Sequence, residues 1–313
     1  MKAIQIYEFG PPDVLKLEEV TRPEPGPGQV LVRVHAAGVN PVDWKVRAAS
    51  SPLAQRYKDD FPLILGWDVS GVVAEVGETV VDFEIGDEVF GLVGFPGLGR
   101  AYGEYLTAPA SHLALKPRHL DHVQAAALPL VALTAWQALF EVGDLQAGQR
   151  LLIHAAAGGV GHVAVQLAKW RGAYVIGTAS ARHHEFLRDL GVDEVIDYTT
   201  TRFEDVVQEV DMVLDPISGE TRARSWQVLK KGGILVSILS GIDPATAAAY
   251  GVRSGYLLVR PDKAQLNELA RLADGGHLRP AIDAVFPLHE AAQAHARGER
   301  WHTVGKIVLQ VVG

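Results

Sequence analysis

The sequence has no cysteine among its 313 residues and only two methionines. The missing thiols exclude disulfides, thiolate-held metals, iron–sulfur clusters and a cysteine nucleophile. Positive charge is also short: 29 Lys and Arg stand against 37 Asp and Glu, a formal net charge of −8. With no long Lys/Arg run, this balance argues against nucleic acid or an anionic membrane as the main partner. The longest apolar stretch, 125–140, is interrupted by Pro129, Thr134 and Gln137 and is too short to span a bilayer. The first residues read as a strand, with Lys2 and Gln5 alternating with apolar neighbours, and not as a signal peptide. A soluble cytoplasmic protein is expected. What is plentiful is apolar side chain, at 48% of residues, enough for substantial cores. The length exceeds the usual size of a single core and points to two domains.

Composition changes character near residue 125. Before it, strand-like segments such as 29–34 and 70–75 sit between Gly- and Pro-rich turns, so this part reads as a compact, mostly antiparallel or barrel-like domain. From about 126 the pattern alternates, with strands expected at 150–155, 173–178, 194–198, 212–215, 233–238 and 255–259 and helices between them. That alternation is the mark of a doubly wound parallel sheet in an α/β domain. Val160, Val163, Ala164, Leu167 and Ala168 recur at helical spacing and predict a helix with one buried stripe. After Pro261 come a helix at 263–273, the segment 280–288, another helix and a closing strand at 305–312, which do not continue the alternation cleanly. The expected division is 1–125, 126–260 and 261–313.

The clearest chemistry lies in the glycine-rich segment after the strand at 151–154. Ala156, Gly158 and Gly161 follow the spacing of a dinucleotide fingerprint, with Gly159 and Val160 completing the turn. Small residues let the backbone approach a pyrophosphate, and the helix N-terminus supplies unpaired N–H groups and partial positive charge. The flanking strand and helix are the context such a fingerprint needs. NAD sites usually carry an acidic residue about 20 positions further on. Here the next strand ends in Ser180 and Arg182, with no carboxylate before Glu185. Ser180 and Arg182 can donate to a 2′-phosphate that a carboxylate would repel, so the expected cofactor is NADPH.

The chain resembles the zinc-free quinone oxidoreductase branch of the medium-chain dehydrogenase/reductase superfamily over essentially its whole length. The matching segments include Gly38-Val-Asn40-Pro41-Val-Asp43, Leu65-Gly66-Trp67-Asp68-Val-Ser-Gly71, Leu128-Pro129, Leu133-Thr134-Ala135-Trp136, the glycine loop and Gly305-Lys306-Ile-Val-Leu309. The resemblance implies a GroES-like β-rich catalytic domain, an inserted Rossmann domain, and a C-terminal segment that rejoins the catalytic domain. Zinc-dependent members hold their catalytic metal with two Cys and a His. Here Asn40 stands at the first Cys, Trp67 replaces the His, and Leu130 or a neighbour replaces the last ligand. The lobe that binds structural zinc is absent, the chain running straight from Gly91 to Tyr105. Without a Lewis acid, alcohol oxidation loses its main support. The implied reaction is therefore hydride transfer from NADPH to a quinone or an α,β-unsaturated carbonyl. A 2-alkenal or enoyl reductase and a non-catalytic NADPH-binding protein of the same fold are the alternatives.

By the same resemblance, Asn40 could donate to a substrate carbonyl and Asp43 could orient a neighbouring donor or serve the turn itself. Lys45 and Arg47 follow on the same segment, as added positive charge or as solvent-facing residues. Trp67, Phe95 and Tyr102 could form a flat wall for a planar substrate. Thr134 matches a position near the nicotinamide, Tyr198 one that flanks the adenosine phosphate, and Ile238, Leu239 and Ser240 follow the strand whose loop lies against the nicotinamide. The 12 histidines show no spacing that assembles a metal site, and His154 and His162 read as packing or capping residues. A homodimer joined through the last strand of the parallel sheet is expected from the family.

Overall fold

Val30, Leu31, Val32 and Val34 are all buried, so the segment that alternates in sequence lies in a strand covered on both faces. This is β3 (Gln29–Val39), the axis of the first sheet in the computed structural model, which describes residues 1–301 and 303–312. The chain divides into two compact units, the first made of residues 1–130, 260–276 and the chain from Pro280 onward.

In the first unit, β1 (Lys2–Ile6) pairs antiparallel with β2 (Lys16–Glu19) and β4 (Leu63–Ile64). The larger sheet contains β3, β5 (Asp68–Val76), β6 (Glu88–Leu92), β7 (Tyr105–Pro109) and β8 (Leu113–Leu115), all in antiparallel pairings. Buried Val, Leu and Phe from these strands form the core of a GroES-like, β-rich unit.

The second unit comprises residues 131–259 and 277–279. Its strands are β9 (Arg150–Ile153), β10 (Tyr174–Ala179), β11 (Glu194–Asp197), β12 (Val210–Asp215), β13 (Leu229–Ser237) and β14 (Arg253–Tyr256). They form one parallel sheet in the order β11-β10-β9-β12-β13-β14. Strand order reverses between β9 and β12, the switch point at which doubly wound sheets bind ligands beyond their carboxyl ends. The Gly159–Arg171 helix buries Val163, Ala164, Leu167 and Ala168, the stripe its spacing predicts, while Val160 at its start is only half-buried. Leu152, Ile176, Val213 and Leu235 from the central strands share a core with Phe203 and Trp226.

The chain then returns to the first unit. The Lys263–Asp274 helix leads to β15 (Ile282–Pro287) and β16 (Lys306–Gln310), and β16 pairs antiparallel with β3. Strand bounds depart most from the sequence reading at β13, which begins at Leu229 and not at 233, and at β14. β14 ends at Tyr256, earlier than the apolar run 255–259 implied. The Leu257 amide still donates to the Ser237 carbonyl at 2.9 Å. Beyond it the chain leaves the sheet, and Leu257 and Val259 are buried by packing instead of pairing. None of the described helices is long and apolar enough to cross a membrane.

Candidate functional site

The glycine loop is built by close approach of backbone to backbone. After β9, Ala155 takes a positive φ of 47°, and the Ala156 amide donates to the Thr178 carbonyl of β10 at 3.0 Å. The chain then enters the 13-residue Gly159–Arg171 helix, with Gly158 in extended conformation ahead of it. A Cβ on Gly161 would lie 2.3 Å from the Ala155 carbonyl oxygen, and one on Gly177 would lie 3.0 Å from the Ala156 methyl. Only hydrogen fits at Gly161. The loop therefore lies flat against strand and helix, and the first-turn amides of the helix point along its axis toward any anion placed there.

Beneath the loop, His154 is buried, with Nε2 2.9 Å from the Ser225 hydroxyl and Nδ1 3.2 Å from that of Thr178. Burial pushes its pKa down to about 4, so it is a neutral packing residue and not an acid–base group. His162 is likewise buried, with Nδ1 3.0 Å from the Gly158 carbonyl.

At the carboxyl edge of β10, Ser180 is half-buried and Arg182 exposed, its Nε donating to His183 Nε2 at 2.9 Å. Tyr198, just past β11, is 61% exposed. The structure adds a carboxylate that the reading of β10 alone missed. Asp197 at the end of β11 accepts from the Thr199 hydroxyl at 2.7 Å and amide at 2.9 Å, and these bonds hold its pKa below the usual range.

On the other side of the switch point, Ile238 is half-buried, and Leu239 and Ser240 are exposed beyond β13. Thr134 is buried in the Pro129–Trp136 helix. Sequence reasoning did not single out Arg222 or Asp215. The Arg222 Nε donates to Asp215 Oδ2 at 2.6 Å, and its two terminal nitrogens donate to the hydroxyls of Ser237 and Ser240.

The first unit holds a different polar cluster. Asn40 follows β3 and caps the Pro41–Arg47 helix, where the Asp43 carboxylate accepts from the Asn40 amide at 2.7 Å. Asn40 Nδ2 donates to Asp68 Oδ2 at 2.8 Å, and its Oδ1 accepts from the Lys306 ammonium. Lysine only donates and ionised Asp only accepts, so chemistry alone fixes which way the amide faces. Lys306 also donates to the Val39 carbonyl at 2.8 Å, and Asp68 Oδ1 accepts from the Leu130 amide at 2.7 Å. All of these side chains except Leu130 are buried. Burial pushes the Asp68 pKa up and the Lys306 pKa down.

Beside them, Tyr102 donates to Asp43 at 2.7 Å and lies 3.1 Å from His295 Nε2. Burial raises the Asp43 pKa to about 7, against the hydrogen bonds from Tyr102 and Asn40. It lowers that of His295 to about 3. Because the Tyr102 hydroxyl donates its hydrogen bond to Asp43, Nε2–H of the neutral imidazole is the donor to Tyr102.

These arrangements correct several expectations. The aromatic wall is core: Trp67 and Tyr102 are fully buried, Phe95 nearly so, and Trp67 Nε1 donates to the Gly97 carbonyl at 2.6 Å. Arg47 does not face solvent, for it is buried and pairs with Glu299. Asn40 and Asp43 have no exposed surface, and each carries structural hydrogen bonds. The residues at the superfamily's zinc position are a separate matter, for their chemistry does not fit a metal. The Asn40 carbonyl is taken by an ammonium group and Trp67 offers no lone pair. Among the described residues no group of three or more His, Cys, Asp or Glu is placed to share an ion.

Residues 26–118 match the alcohol dehydrogenase GroES-like domain family, and residues 190–309 match the zinc-binding dehydrogenase family. A quinone oxidoreductase of Sus scrofa is 33% identical over 99% of this chain and 97% of its own. The chloroplastic NADPH-dependent alkenal/one oxidoreductase of Arabidopsis thaliana is 36% identical over 99% of this chain and 79% of its own. The structure of the quinone oxidoreductase from Coxiella burnetii superimposes with a TM-score of 0.94 at 41% identity, covering 100% of this chain and 99% of that one.

Proposed function

For a chain that belongs to the medium-chain dehydrogenase/reductase superfamily, we propose an NADPH-dependent oxidoreductase that passes hydride, without zinc, to a quinone or an α,β-unsaturated carbonyl. The observation that carries this reading is the flat glycine loop under the Gly159–Arg171 helix at the switch point, followed by a β10 edge that carries Ser180 and Arg182 in place of a carboxylate.

In this reading the backbone of Ala156, Gly158, Gly159, Val160 and Gly161 takes the pyrophosphate. Ser180 and Arg182 donate to the 2′-phosphate and Tyr198 flanks it. Thr134, Ile238, Leu239 and Ser240 border the nicotinamide. When bound, the cofactor supplies the hydride. Asn40, Asp43 and Trp67 frame the turn that the resemblance places on the substrate side and exchange no protons with the acceptor, being buried and hydrogen-bonded within the first unit. A conjugated acceptor suits a site without a metal, because the incoming charge spreads onto an enolate or hydroquinone oxygen. The same reading places the protein in the cytoplasm as a homodimer joined along β14, an edge strand that leaves Tyr256 half exposed.

NADPH consumption by the purified protein, followed spectrophotometrically with a quinone panel and with an enone and alkenal panel, tests the proposal. Turnover with either supports it. Tight NADPH binding without turnover on both panels would instead make this a non-catalytic nucleotide-binding member of the superfamily.

A further inference from the structure

Each half of a doubly wound sheet binds one mononucleotide of a dinucleotide. The glycine loop belongs to the half built on β9, β10 and β11. The nicotinamide mononucleotide then falls to β12, β13 and β14. The carboxyl ends of β12 and β13 are Asp215 and Ser237, both fully buried. A single side chain ties them together.

Arg222 lies on the Gly219–Ser225 helix and its side chain is 13% exposed. It donates through Nε to Asp215 Oδ2 at 2.6 Å, through Nη2 to the Ser237 hydroxyl and through Nη1 to the Ser240 hydroxyl at 3.2 Å. Asp215 Oδ1 accepts from the amides of Ile217 at 3.0 Å and Ser218 at 2.7 Å, which folds the loop after β12. The Ser237 hydroxyl also accepts from the Leu239 amide at 3.3 Å, which folds the loop after β13. The planar guanidinium is a rigid fork whose three separate nitrogens each reach one acceptor, where a lysine would have to serve all three from a single nitrogen.

We infer that Arg222 is a positioning residue for the nicotinamide half of the cofactor. It braces the loops beyond β12 and β13 so that residues 238–240 meet the ring in one arrangement. It acts through those loops and makes no claim on the adenosine half. This assignment rests on the NADPH reading above.

Two ligands separate the halves: NADPH, and 2′,5′-ADP, which carries only the adenosine end. Arg222→Lys keeps a cation beside buried Asp215 and loses the fork, while Ser237→Ala removes one acceptor and leaves the Arg222–Asp215 pair intact. Calorimetric titration should show NADPH binding weakened roughly tenfold by Arg222→Lys, the size of a lost charge-assisted contact, and by less in Ser237→Ala. Binding of 2′,5′-ADP should be unchanged in both. Should Arg222→Lys fail to fold, Ser237→Ala decides alone. Equal losses for the two ligands, or no loss for NADPH, would overturn the assignment while leaving the cofactor reading in place. A wild-type protein that bound neither ligand would overturn the cofactor reading and this assignment with it.

Discussion

Two polar clusters, one in each unit, are partnered in opposite ways. In the first, Asn40, Asp68 and Lys306 meet one another inside the core, with the Leu130 amide closing the last carboxylate oxygen. In the second, the helix after the glycine loop aims its first-turn amides outward, and Ser180, Arg182 and Tyr198 stand at the surface. A matched cluster specifies shape, and an unmatched one is available to a ligand. Residue type does not distinguish them, since a tyrosine sits in each, Tyr102 buried on Asp43 in the first and Tyr198 exposed in the second. The partner does.

The largest expected effect breaks the closed cluster. Lys306→Met leaves Asp68 buried without its cation, which should cost about 3–5 kcal/mol of stability by urea unfolding. The paired Asp68→Asn/Lys306→Met variant should recover most of that loss, because removing both charges removes the uncompensated one. A single variant as stable as the wild type would mean that the ion pair contributes nothing to the first unit.

On the open side, Gly161→Ala places a methyl against the Ala155 carbonyl. It should cost about 1–3 kcal/mol in thermal melts and lower NADPH affinity as well. Unchanged affinity would remove the loop from the binding site. Smaller still, Arg182→Ala should weaken NADPH by about tenfold and leave NADH almost untouched in parallel titrations. Equal losses would sink the 2′-phosphate assignment.

The last effect is a slope. His295 has its pKa lowered from 6.5 to about 3, so the unfolded chain binds its proton more tightly and this group adds stability as pH rises from about 3 to 6.5. Asp43 is raised from 3.8 to about 7, so the folded chain binds its proton more tightly and this group removes stability as pH rises from about 4 to 7. The two oppose each other between pH 4 and 6.5. Asp43→Asn removes the opposing member, so unfolding free energy should climb more steeply across that window, by on the order of 1 kcal/mol per pH unit. An unchanged slope would contradict the shift at Asp43.

The glycine turn was legible in the sequence and the closed cluster was not, for a physical reason. Strand, glycine turn and helix are local, so the spacing of Ala156, Gly158 and Gly161 carries their geometry. Lys306 and Asn40 are 266 positions apart, and nothing near either one announces the other. Arg222 hides differently. On a seven-residue helix among Glu, Thr and a second Arg it resembles any solvated cation, and only the pairing of β12 with β13 brings Ser237 beside it. The aromatic wall failed because Trp67, Phe95 and Tyr102 are as suited to a core as to a flat ligand. Their polar edges find partners inside the first unit, Trp67 on Gly97 and Tyr102 on Asp43.

We propose that this fold reduces a conjugated acceptor with NADPH and needs no metal to do so. The most direct measurement is the rate of NADPH consumption with a quinone, in matched reactions with and without a strong chelator and with NADH in place of NADPH. Stoichiometric NADPH consumption, an unchanged rate in chelator and a much lower rate with NADH are expected. Activity that vanished in chelator and returned with zinc would contradict the proposal.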